Sequence, residues 1–143
     1  MKVALHLNDG VHFSASTGSG QRFEIDGSEA VGGQDKGARP MEMVLGALAG
    51  CSAIDVMSTL RKMKQNVSDC RIEATGERAD QIPAVFSDIN LDFAVFGNNL
   101  DQKKVQRAVQ LAVEKYCSVG KMLESTARIS HTTTVHPDPS HRE

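Results

Sequence analysis

Charge of one sign is what this sequence has least of. Its 16 Lys and Arg stand against 18 Asp and Glu, a formal net charge of −2 with the signs interspersed. That excludes the basic field a nucleic-acid binder needs and the lysine-rich face of a membrane-surface protein. Cysteine is also scarce: three in 143 residues. With neither disulfide-scaffold spacing nor a signal peptide, an odd count fits a reducing, cytoplasmic compartment where thiols stay free or bond transiently. Long hydrophobic runs are missing. The charge-free stretch covers residues 43–54, well short of the roughly 20 residues a membrane span requires. There is no GxGxxG, no phosphate loop and no GxSxG elbow, so dinucleotide binding, NTP use and serine hydrolysis lack support. Without repeats or low-complexity tracts, the chain reads as a single domain over residues 1–136 with a disordered tail over 137–143.

What is present is organised around residues 40–60. A helix here is apolar on every side, as a helix reads when other elements surround it. Pro40 suits its first turn, where a missing N–H costs nothing. Gly46 and Gly50 each cost about 1 kcal/mol relative to Ala in a helix interior, which implies close packing against a neighbour. Cys51 lies near the centre of this rod.

Before it, Val3, Leu5 and Leu7 alternate with Ala4 and His6 as a half-buried strand. Asn8-Asp9-Gly10 turns the chain into a second strand over residues 11–15, and a third covers 22–26. After the helix, residues 70–77 and 85–97 read as two longer strands, with Ile89, Leu91, Phe93 and Val95 on one face. Asp101 caps a second helix, whose buried stripe is Val105, Ala108, Val109, Ala112 and Tyr116. A last strand covers residues 126–135. Hairpins interrupted by helices imply an α+β fold with antiparallel sheets.

The thiols carry the candidate chemistry. Only a thiolate attacks a peroxide O–O bond, and only a second thiol within bonding reach resolves the resulting sulfenic acid. Two packed helices could bring Cys51 and Cys117 together; the alternative for a helical cysteine is a small core hydrophobe. At the start of Ser118-Val119-Gly120-Lys121, backbone N–H groups and Lys121 would favour a Cys117 thiolate. Cys70 opens a strand and reads as structural. Arg22, Arg39 and Glu42 are candidates for a guanidinium beside the thiolate and a carboxylate that aims it, or else solvated charges. Asp55, one turn beyond Cys51, pairs with a cation or caps a contact elsewhere.

The segments PMEMVLGALAGCSAIDV around Cys51 and EKYCSVGKML around Cys117 resemble the OsmC/Ohr family, closest to its OsmC-like branch. The resemblance implies a two-layer α+β fold around a long central helix, in an intertwined homodimer with active sites at the subunit interface. It also implies thiol-dependent reduction of organic hydroperoxides without a cofactor. Carried onto this sequence, Cys51 is the attacking and Cys117 the resolving thiol, with Arg22 and Glu42 assisting. A dithiol reductant, in Ohr-type members a dihydrolipoyl protein, restores the pair. The carboxylate stands at Glu42, one position beyond the family's, which Met41 occupies. That offset motivates a competing reading: a dimer that binds a small apolar ligand or senses redox state. Metal binding by His131, His136 and His141 is a remote third idea, because the last two flank a Pro-rich tail.

Overall fold

The computed structural model describes residues 1–139. Of the tail expected to be disordered, residues 140–143 lie outside the described residues. The chain gathers into two compact units, Met1–Val44 and the residues from Leu45 onward.

In the first unit, β1 (Val3–Asp9), β2 (His12–Thr17) and β3 (Arg22–Ile25) form an antiparallel meander. The hairpin turn closes where the sequence placed it, with Gly10 at φ +55°, a conformation that costs glycine little. The expectation of a half-buried β1 fails: Val3, Leu5 and Leu7 are each more than half exposed, at 54, 52 and 51%. Alternation sorts side chains onto two faces without saying whether either is covered.

The loop after β3 is built on Asp26, which is buried. Its carboxylate accepts the N–H groups of Gly27 (2.8 Å), Gln34 (2.9 Å) and Lys36 (3.1 Å). The Gln34 N–H leads in holding this carboxyl below its ordinary value of 3.8, with Lys36 next and burial opposing. A depressed folded-state value stabilises the fold above the unfolded carboxyl's pKa and is lost as pH falls through the folded one. Amide exchange at residues 27–38 should therefore show protection at pH 6 that weakens on acidification below about pH 4. Asp26→Asn should weaken it at both pH values. Unchanged protection in the variant would mean the loop is held by something else.

Helix α1 (Pro40–Lys62) is 23 residues long. Its buried residues are Leu48, Ser52, Val56 and Leu60, a four-residue spacing that marks one stripe. The expectation of burial on every side is corrected: Gly46, Ala47 and Gly50 are exposed and Ile54 is 72% exposed. An added Cβ at Gly46 or Gly50 would meet nothing within 4 Å, so this chain supplies no close neighbour for either glycine. By length and composition alone α1 could cross a bilayer, contrary to the estimate from the charge-free run. Its buried stripe instead meets protein: Leu45 reaches Gly76 and Leu48 reaches Gly120.

The second unit's sheet is β4 (Asn66–Arg78), β5 (Phe86–Asn98) and β6 (Arg128–His136), in that order. Ile89, Leu91, Phe93 and Val95 of β5 are buried, as their alternation implied. Gly76 is required where it stands, because a Cβ there would fall 2.5 Å from the Phe86 ring. The expectation of antiparallel sheets is corrected at one pairing. β4 and β5 are antiparallel, but β5 and β6 run parallel, Ile89 opposite Ile129 and Val95 opposite Val135. The reason is the connection: a helical crossover returns the chain to the end where β5 began, which no hairpin can do.

That crossover is α2 (Gln102–Leu111), a π turn (Ala112–Tyr116) and α3 (Ser118–Leu123). Asp101 caps α2 by accepting the N–H groups of Lys103 and Lys104. Val105, Ala108, Val109 and Ala112 are buried as expected, but Tyr116 is 50% exposed. The π turn explains the difference. The Cys117 N–H donates to the Ala112 carbonyl, five residues back, so the helical phase slips by one residue. Cys117 takes the inward position that regular spacing assigns to Tyr116.

Candidate thiol site

Cys117 is buried at the N-cap of α3, and its Sγ accepts the Gly120 N–H at 3.2 Å. Its thiol donates towards the Leu48 carbonyl of α1 at 3.9 Å. From the next turn of α1, Cys51 and Ser52 both act on the same sulfur. Cys51 is half-buried, beside the buried stripe, and neither thiol is in a disulfide. The helix and the π turn thus bring together two cysteines that lie far apart in the chain.

The expected electrostatics at Cys117 are only half present. The Gly120 N–H is there and lowers the thiol's pKa, but Lys121 turns outward and pairs with Glu124. Burial dominates and pushes the Cys117 thiol up; the Ser52 hydroxyl and then Gly120 oppose this, while the neighbouring Cys51 adds to the rise. Cys117 at rest is therefore a protonated thiol at neutral pH, not the favoured thiolate that the turn alone suggested.

The other candidates lie as follows. Arg22 is exposed on β3, opposite Ser16. Glu42 accepts the Arg39 backbone N–H at 2.9 Å, the return half of a capping box at the start of α1. The Arg39 guanidinium lies 3.1 Å from Asp35 and 3.7 Å from Glu42. Asp55 makes no ion pair or hydrogen bond among the described residues, against the expectation of a cation partner. Cys70 lies inside β4 rather than opening it, and burial followed by Asp69 raises its pKa. His131 and His136 are five residues apart on β6 and so face opposite sides of the sheet. His131 meets Glu114, while His136 stacks on Phe96. His141 lies outside the described residues. Sequence reasoning missed Ser52. Its signal was a hydroxyl in register with Leu48, Val56 and Leu60 inside the charge-free run.

Residues 33–132, a segment that includes both Cys51 and Cys117, match the family model for OsmC-like proteins. The chain belongs to the OsmC-like family. It is 46% identical over 135 residues to protein YhfA of Escherichia coli K12, covering 94% of this chain and 98% of that one. A hypothetical protein of Aquifex aeolicus, 29% identical, superposes with a TM-score of 0.78 over 94% of this chain and 96% of its own. The organic hydroperoxide resistance protein OhrB of Bacillus subtilis is 19% identical, with a TM-score of 0.62 over 93% of this chain and 96% of its own. At that identity the likeness is one of fold. The OsmC-like architecture of two small sheets and a central helix is common to all of them.

Proposed function

We propose that this OsmC-like protein is a thiol-dependent organic hydroperoxide reductase, folded as one domain over residues 1–136 and working in the cytoplasm. The Cys51 thiolate attacks the distal peroxide oxygen; an S–O bond forms, the O–O bond breaks, and the alkoxide takes a proton to leave as the alcohol. Cys117 then attacks the sulfenic sulfur, the disulfide forms, and the oxygen departs as water. An external dithiol, possessed for example by a lipoyl protein, returns both cysteines to thiols by exchange. Arg22 and Glu42 are the proposed charged partners of the attacking sulfur. The observation that carries this reading is the meeting of two free thiols, Cys51 and Cys117. Intact mass after cumene hydroperoxide should show a loss of about two hydrogens from the reduced protein. Thiols that survive an excess of peroxide for minutes would reject it. The same assay on Arg22→Ala and Glu42→Gln reads the role of each, a wild-type rate removing that residue from the site.

The working unit is proposed to be a homodimer, supported by the uncovered Val3, Leu5 and Leu7 face and by the open flank of α1 at Gly46, Gly50 and Ile54. Gly50→Leu should leave the chain folded, because its side chain enters open space, yet block close helix approach in the dimer. Circular dichroism should stay native while light scattering reports the mass of one chain. A native-sized dimer would show that this flank is not the interface.

A second reading, a redox-sensing or apolar-ligand-binding dimer, is favoured by one observation: the Glu42 carboxylate is engaged at the helix cap. Multiple turnovers with a dithiol reductant would count against it.

A further inference from the structure

Ser52 is fully buried, and its Oγ has no hydrogen-bond partner among the described residues. A serine inside a helix ordinarily satisfies its hydroxyl on the carbonyl four residues back. Here that carbonyl is Leu48's, which instead faces the Cys117 thiol. Buried hydroxyls are nearly always paired, so an orphan of this kind calls for a reason. The reason lies beside it. The hydroxyl follows Cys51 in the chain and acts on the Cys117 sulfur in the direction that favours its thiolate. The neutral thiol is a weak acceptor, whereas a thiolate in a low-dielectric setting is a strong one.

We propose that Ser52 is a hydrogen-bond donor held for the Cys117 sulfur, engaged when that thiol ionises to close the disulfide on Cys51. The inference rests on the peroxidase reading for its place in a cycle, but the donor itself is testable without peroxide. In the resolving step the Cys117 proton leaves, its sulfur forms the S–S bond, and the S–O bond of the Cys51 sulfenic acid breaks to release water. Two donors then meet the transient thiolate, the Gly120 N–H at 3.2 Å and the Ser52 hydroxyl. Once the disulfide forms, the negative charge is gone and Ser52 is again without a strong acceptor. Ser52 thus favours the charged step over the resting states on either side, which is where a catalytic donor is useful.

The test separates the donor from the cycle. In a protein with Cys51 and Cys70 both replaced by Ala, Cys117 is titrated by thiolate absorbance. Ser52→Ala should move the midpoint up by about one pH unit or more, and Ser52→Thr should restore it. In the otherwise native chain, Ser52→Ala should leave the rate of peroxide attack unchanged and prolong the Cys51 sulfenic acid, trapped with dimedone, by about tenfold. Because the change also removes an orphaned hydroxyl, its melting temperature should rise by about 3 °C. An unmoved Cys117 midpoint in the Ser52→Ala protein would overturn the proposal. A moved midpoint with no sulfenic acid in the native chain would keep the donor and remove the peroxidase cycle.

Discussion

With Cys51 replaced by Ser, dithiol-dependent hydroperoxide consumption should fall at least about a thousandfold, to the uncatalysed background. Serine keeps the shape, but its hydroxyl ionises far too weakly to attack an O–O bond at neutral pH. The site does nothing to compensate, since the nearest donors are Gly120 and Ser52 and they address the other sulfur. Cys117→Ser should behave differently: one equivalent of peroxide is reduced and turnover then stalls with the Cys51 sulfenic acid in place. Stopped-flow peroxide consumption, read alongside dimedone labelling, distinguishes the two variants. Sustained turnover by Cys51→Ser would assign the attack to Cys117 or Cys70 and dismantle the proposed order of events.

Leu48→Asp should leave no soluble native protein. Leu48 is fully buried; its side chain approaches Gly120 and its carbonyl meets Cys117. No cation is placed to receive a carboxylate there. Burying an unpaired charge costs about 4 kcal/mol or more, against a typical total stability of about 5–15 kcal/mol. Leu48→Ala, which leaves only a cavity, should cost about 2–5 kcal/mol and remain foldable. Gel filtration and denaturant melts of the pair decide this. A soluble, cooperatively melting Leu48→Asp protein would mean that the buried stripe has been assigned to the wrong face of α1.

Local rules exposed much of the architecture in advance. The alternating β5 face, the Asp101 cap and the Asn8-Asp9-Gly10 turn each depend on a few adjacent residues, and each formed as expected. What escaped depended on partners elsewhere. β6 pairs parallel to β5 because of how the crossover returns, which its own composition does not encode. β1 alternates correctly, yet its apolar face lies open. The two cysteines were identifiable as chemistry; their meeting was not, because sequence separation says nothing of distance. Cys117 shows two local effects in competition: an N-cap position that favours a thiolate, and burial that outweighs it.

The π turn at Ala112–Tyr116 has a consequence for how such a chain can vary. Its one surplus residue acts as a ratchet tooth, setting which of two neighbouring side chains points inward. Losing it would turn the following residue by about 100°, swinging Tyr116 into the place of Cys117. Shortening this segment by a single codon would therefore silence the sulfur pair while leaving every cysteine in the gene.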